Sequence, residues 1–330
     1  MYYAISHLTL YKYSEAINDS VMEIRMQPRS DGNQRNIRFD LNVSPDTQIF
    51  SVKDYIGNTI HHFNIPAPHE SLAIKAESVV ELQEMSPLPD ALSPDSWSAY
   101  DEIDDRDLYD MLLPGLYTKS TFLLTQFEQE INWQRRDDPL SLVKELNSAI
   151  YDAFEYNQET TRVDSPIDEA LSARRGVCQD FTHIMLTLLR KIGIPARYVS
   201  GYLFHQKDYD RSDVDATHAW LEAWFPELGW IGFDPTNDLI VDNRHIRVNL
   251  SNDYQNASPS RGIFKGIADT ELEVRVQVKQ LQNLPYEHVE LAPDMPLPRY
   301  EYYQAPPQQE QQQQDQQQQG QQQQGQQQQD

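Results

Sequence analysis

The chain has 330 residues, 39% of them hydrophobic and 10% aromatic, enough to bury a substantial core in one or two domains of about 100 to 200 residues each. Its formal charge of −24 excludes nucleic acid and anionic lipid surfaces as partners, because holding a polyanion takes clustered Lys and Arg that displace its counterions. One cysteine excludes an intramolecular disulfide, and no basic start with an unbroken apolar run opens the chain, so a soluble cytoplasmic protein without membrane contact is expected.

Across residues 3–82 apolar side chains tend to alternate with polar ones, as in Val21-Met22-Glu23-Ile24 and Ile37-Arg38-Phe39-Asp40-Leu41. Turn signals at Pro45-Asp46 and Gly57-Asn58 punctuate them, which predicts a β-rich, sandwich-like domain of about six or seven strands over residues 1–83. Residues 84–110 follow as an acidic linker: ten carboxylates between Glu81 and Asp110 face only Arg106. Such a run reads as a solvated connector, with a cation or basic-partner site as the sharper alternative.

The remaining elements predict an α+β core over residues 111–300. Asp138 and Pro139 supply an N-cap and first-turn pair, and Leu142, Val143, Leu146, Ile150 and Phe154 recur at helical spacing. A second helix opens near Cys178, with a stripe of Phe181, Met185, Leu188, Leu189 and Ile192 that Gly193 and Pro195 terminate. Strand patterns occupy residues 197–203, 219–225 and 230–233, and the clean alternation of Leu272, Val274, Val276 and Val278 adds a late strand to the same core. Residues 301–330 are almost entirely Gln and cannot bury enough apolar surface to offset chain entropy, so a disordered tail is expected. A solubilising tail is the plainer reading, with its many side-chain carboxamides as chemically addressable groups the sharper one.

Three residues in separate stretches carry the chemistry. Cys178 follows Gly176-Val177 at the first turn of its helix, where free backbone N–H groups and the positive end of the dipole favour thiolate. A lone cysteine is more often an inert buried residue, and its helix-start position is what argues otherwise. A nucleophilic thiolate calls for an imidazole as counter-ion and proton donor, and the imidazole for a carboxylate that fixes its tautomer. His218 opens a strand pattern, a Pro226-Glu227-Leu228-Gly229 turn follows, and Asp234 ends the next strand pattern, so a hairpin brings the two within reach if their faces match. Singly, each is weak: strand histidines are usually packed or solvent-facing, and an Asp before Pro is usually a turn residue.

Trp220, Trp224 and Trp230 could wall a dry substrate channel, against the commoner role of strand aromatics as core. His183, off the Cys178 face of the helix, reads as structural, and Asp180 as a capping residue. The chain carries neither a Cys-x-x-Cys nor a His-Glu-x-x-His pattern, and no Gly-rich phosphate loop, so no metal and no cofactor are expected.

The segments Gly176-Val177-Cys178-Gln179-Asp180-Phe181, Gly193-Ile194-Pro195-Ala196-Arg197-Tyr198, His218-Ala219-Trp220 and Gly229-Trp230-Ile231-Gly232-Phe233-Asp234-Pro235-Thr236 resemble the bacterial transglutaminase-like superfamily in order and spacing. Tyr11-Lys12-Tyr13-Ser14, Arg25-Met26-Gln27-Pro28 and Asp54-Tyr55-Ile56-Gly57-Asn58 resemble the β-rich domain that precedes its core, and the likeness spans about residues 3–280. The resemblance implies a papain-like core, with Cys178 as nucleophile, His218 as general base and acid, and Asp234 as orienting carboxylate. It implies attack on a carboxamide of a protein or peptide substrate, with the thioester resolved by an amine or by water. A catalytically silent scaffold is the reading from another class, and the oligomeric state is left open.

Overall fold

A computed structural model describes residues 1–162, 165–206, 210–212 and 216–284, so the end of the expected 111–300 core and the Gln-rich tail lie outside the described residues. The architecture is mixed α/β, with a sheet-rich N-terminal region set against a core of helices on a second sheet.

The first five strands are β1 (Tyr2–Ile24), β2 (Gln34–Ser44), β3 (Phe50–Lys53), β4 (Thr59–Ile65) and β5 (His69–Leu82). At 23 residues β1 is long enough to serve two ladders: its first half pairs with β5, and its second half with β4. Between them lies an apolar layer that includes Ile17, Met22, Ile24, Phe63, Leu72 and Ile74, all buried. Burying side chains of this size stabilises by roughly 1.5–3 kcal/mol each before chain entropy is counted.

The acidic stretch is not a free connector. A turn of 3₁₀ helix (Pro94–Ser96), α1 (Trp97–Asp101) and α2 (Arg106–Asp110) form within it, and Tyr100 is buried with its hydroxyl donating to the Trp224 carbonyl. Ser96 Oγ donates to Glu227 on the turn of the core hairpin. The carboxylates stay largely outside while Leu92, Trp97, Tyr100 and Ile103 pack on the core, so solvation and docking are satisfied by different side chains of the same run.

Helices α3 (Phe122–Glu130), α4 (Pro139–Ala153), α5 (Ile167–Ala173) and α6 (Cys178–Lys191) then surround the core, with the short parallel pair β6 (Glu155–Tyr156) and β7 (Arg175–Gly176) between them. Asp138 caps α4 as expected, accepting from the Leu140 and Ser141 amides at 3.0 Å, with Pro139 at the first turn. Along α6, Phe181, Met185, Leu188 and Leu189 are buried, and Gly193 takes the left-handed φ of 85° that ends the helix.

The core sheet has five strands in the order β11-β10-β9-β8-β12: β8 (Ala196–Leu203), β9 (His218–Phe225), β10 (Gly229–Asp234), β11 (Leu239–Ile240) and β12 (His245–Ser251). Ala219, Leu221, Ala223 and Phe225 of β9 join the α6 stripe in one cluster, whereas the intervening Trp220 belongs to another cluster with Val199 and Leu250. The period-2 alternation of the strand therefore assigns its two faces. Tyr202, Ile246 and Val248 turn toward Tyr3, Ile5 and Val80, welding the two sheets through a shared apolar layer.

The last strands correct the expected division of the chain. Both β13 (Ser260–Lys265) and β14 (Thr270–Leu281) hydrogen-bond to β1, so the late alternating strand expected in the 111–300 core completes the N-terminal sheet instead. Periodicity identifies a strand but carries no information about which neighbour it pairs with.

Candidate functional site

Cys178 is the first residue of α6 and is only partly buried. Val177 adopts extended backbone (φ −116°, ψ 177°), and its N–H donates to Asp180 Oδ2 at 2.8 Å, which fixes the path of the chain into the helix. Asp180 also accepts from Thr161 Oγ1 at 2.6 Å, so it acts as the expected cap. Burial drives its carboxyl pKa up, and these hydrogen bonds counter only part of the rise. Gly176 is required here: a Cβ on it would lie 2.6 Å from Asp180 Oδ2. The turn therefore leaves the Cys178 sulfur at a helix start whose first amide groups have no helical partner.

The β9–β10 hairpin has the register Phe225↔Gly229 to Leu221↔Phe233, so extending the ladder places Asp234 on the same face as Trp220 and diagonal to His218. His218 Nε2 and Asp234 Oδ2 are 2.8 Å apart, with both side chains buried. Burial alone would lower the imidazole pKa, but the Asp234 charge and hydrogen bond, aided by the Cys178 thiol, raise it to about 10. For Asp234 burial works upward, and the His218 and His245 rings outweigh it, holding the carboxyl well below the usual range. The other ring nitrogen, His218 Nδ1, is buried and closes no conventional hydrogen bond. With Nε2 committed to Asp234, Nδ1 is the ring nitrogen that the carboxylate does not engage.

The three tryptophans do not share one wall. Trp220 is fully buried, its indole packed against the His218 and His245 rings at centroid distances of 5.9 and 5.2 Å. Gly201 makes room for it, since a Cβ there would stand 2.6 Å from the indole and 2.1 Å from the Ile246 carbonyl oxygen. Trp224 packs edge-on against Tyr100, while its cross-strand partner Trp230 lies under the Arg197 guanidinium at 4.0 Å. Of the three, only Trp230 lines the cavity of about 750 Å³ that Asp242, His245 and Arg247 also border. His183 is structural, as expected: it stacks on Tyr117, and its Nε2 accepts the Tyr254 amide at 3.2 Å. Burial and the nearby Arg190 push its pKa down to about 3.

Sequence reasoning missed His245, Asn237 and Asp242. Asn237 Nδ2 donates to Asp234 Oδ2 at 2.8 Å, and the Thr236 amide donates to Oδ1 at 3.0 Å. His245 Nε2 lies 3.3 Å from the same Oδ2, and its Nδ1 lies 3.1 Å from Asp242 Oδ1. Asn237 and Asp242 each lie three residues from a partner but carry no periodic pattern that singles them out, and His245 lies eleven residues from Asp234 with β11 between them. His218, Asp234 and His245 bring one coordinating atom each within 4.8 Å, but the carboxylate oxygen is already engaged by both rings, so the set is a hydrogen-bonded array.

Comparison with known proteins places these residues in context. Residues 126–235 match the model of the transglutaminase-like superfamily, and residues 3–81 that of the bacterial transglutaminase-like N-terminal region. An uncharacterized protein of Mycobacterium leprae is 33% identical over 280 residues, covering 84% of this chain and 98% of its own. A protein-glutamine gamma-glutamyltransferase of Pseudomonas aeruginosa is 35% identical over 96 residues, covering 26% of this chain and 13% of that one. Among solved structures, a candidate cysteine protease of Cytophaga hutchinsonii superposes with a TM-score of 0.66 at 21% identity, covering 88% of this chain and 94% of that one. With both family models matched in order and a relative aligned over nearly its whole length, the chain belongs to the transglutaminase-like superfamily, carrying the bacterial N-terminal region ahead of the core.

Proposed function

We propose that the protein is a thiol enzyme acting on carboxamide or peptide bonds, with Cys178 as nucleophile, His218 as base and acid, and Asp234 as the group that orients the ring. The observation that carries this reading is the 2.8 Å bond from His218 Nε2 to Asp234, together with a cysteine at a helix start whose thiol is near enough to the ring to help raise its pKa.

The Cys178 sulfur attacks the amide carbonyl carbon, and the resulting oxyanion forms beside the first amide groups of α6. Loss of one such donor typically costs on the order of 100-fold or more in rate. His218 Nδ1–H passes its proton to the leaving nitrogen as the C–N bond breaks, which yields a thioester and free ammonia or amine. The neutral ring then takes a proton from an incoming amine or water, and the C–S bond breaks to regenerate the thiolate. Asp234, never protonated in the cycle, stabilises the imidazolium electrostatically.

A relative named for glutamyl transfer and a fold neighbour named as a candidate protease are consistent with amine and water as alternative acceptors. The full chain and its Cys178→Ala variant, incubated with a glutamine-peptide library and a labelled amine, test the reading. Amine uptake with ammonia release defines a transferase; ammonia or a new amino terminus without uptake defines a hydrolase. Equal turnover by Cys178→Ala on every substrate would overturn the thiol mechanism. An absence of turnover, together with ordinary iodoacetamide reactivity at Cys178, would point to a silent scaffold.

A further inference from the structure

The Asp234 carboxylate is shared. Its Oδ2 accepts from His218 Nε2 and Asn237 Nδ2 at 2.8 Å and receives a third donor, His245 Nε2, at 3.3 Å. An ionised carboxylate oxygen only accepts, so the His245 nitrogen that faces it must carry hydrogen, whatever the state of the far nitrogen. His245 is held in turn: Nδ1 lies 3.1 Å from Asp242 Oδ1, Trp220 packs edge-on at 5.2 Å, and β12 pairs the residue with Leu203 of β8.

We propose that His245 is a positioning residue for the reaction put forward above, its Nε2–H pinning Asp234 Oδ2 so that the carboxylate stays aligned on His218 while the His218 ring gains and loses its proton. The inference rests on that reading of Cys178, His218 and Asp234. Without the second ring, Asp234 keeps two side-chain and backbone donors besides His218 but loses the one that approaches from β12. That side would be open for the carboxylate to tilt toward.

The charges around the ring are consistent with this role. Asp234 faces it from β10, Asp242 from the loop before β12, and the His218 ring from β9 at 6.2 Å. Arg244 pairs with Asp242 at 2.9 Å and with Asp210 at 2.9 Å, and its charge is also felt by Tyr3 of β1. Burial opposes a charged ring at His245, but the two carboxylates outweigh it and raise its pKa. Asp242 has 41% of its side chain exposed and borders the 750 Å³ cavity, so the array running from His218 through Asp234 and His245 ends at a wet surface.

Iodoacetamide alkylation of Cys178 in the full chain, followed across pH, tests the proposal without a known substrate. His245→Gln keeps an N–H donor near the Nε2 position but cannot ionise; His245→Leu removes the donor. Alkylation near pH 7 is expected to fall roughly 10-fold in His245→Leu, the scale of a lost hydrogen bond to a charged group, and to stay within about threefold of wild type in His245→Gln. Both variants should melt at similar temperatures, since a purely structural role would move stability and leave the pH profile in place. If His245→Leu does not fold, His245→Asn replaces it, because the shorter amide cannot reach Asp234; Gln and Asn variants of equal reactivity would overturn the proposal. A wild-type profile in His245→Leu would do the same, provided His218→Ala has lost reactivity. Should His218→Ala also keep the wild-type profile, the failure belongs to the thiol–imidazole reading instead.

Discussion

The two sheets bury histidine in opposite ways. In the N-terminal sheet, His7 lies between the Tyr202 and Thr9 hydroxyls at 3.0 and 3.2 Å, and burial pushes its pKa down to about 4. In the core sheet, His218 and His245 are equally sealed but face carboxylates, and both are raised above the ordinary imidazole value. Burial is common to all three, so the partner decides: a hydroxyl can serve a neutral ring, whereas an ionised carboxylate demands a donor and favours the charged one. One sheet thus holds a histidine kept neutral while the other holds two whose protonated form is favoured.

The largest effect should come from removing the charge that separates the two cases. Asp234→Asn is expected to lower turnover by roughly 10³- to 10⁴-fold on whichever amide the substrate assay identifies, because the ring loses both its tautomer control and its counter-charge. The same variant should flatten the alkaline limb of stability. With a folded-state pKa of about 10 against about 6.5 unfolded, His218 contributes stability that is fully present below pH 6.5 and lost as pH rises through 10. Chemical denaturation between pH 7 and 10 measures it.

For His7 the sign reverses. Its folded-state pKa lies below the unfolded one, so the unfolded chain takes up the proton first and stability falls as pH drops from about 6.5 through 4. That limb is worth about 3 kcal/mol for a shift of this size, and His183 adds to it. His7→Gln should remove the His7 share, read from denaturation midpoints at pH 7 and pH 4.5; an unchanged acid limb would show that His7 stays as proton-binding in the fold as out of it.

Next in size is Gly201→Ala, which drives a Cβ into the Ile246 carbonyl and the Trp220 ring and is expected to cost about 1–3 kcal/mol. Because Trp220 rests on both core imidazoles, its alkylation profile should move along with its melting temperature. Tyr202→Phe, on the neutral side, should cost only about 1 kcal/mol at pH 7 and leave Cys178 reactivity alone, as its hydroxyl serves His7 and nothing in the core site.

What was legible in the sequence was local. The start of α6, the Asp138 cap and the β9–β10 turn each follow from neighbouring residues, and the last of these brings His218 and Asp234 together. Non-local pairing was not legible: Leu272 to Val278 read clearly as a strand, yet their partner is β1, more than 250 residues earlier. The same limit hid His245, whose ring is defined by a carboxylate on another strand, and the docking of Tyr100, which a run of acids obscured. Alternation gives a face and not what covers it: Trp220 meets imidazoles and valine, Trp224 meets Tyr100, and Trp230 of the three borders the cavity.

The pairing of β1 with β14 sets a timetable for synthesis. On the ribosome, β1 emerges first and can meet β5 early, but the flank that β14 covers waits for about 250 further residues, roughly ten to fifty seconds at ~5–20 residues per second. During that wait an open strand flank invites pairing with other nascent chains. A polypeptide truncated before residue 270 would keep that flank open, so aggregation of such fragments, with rescue by chaperones that shield strand edges, is the expected outcome of closing the first sheet with a late strand.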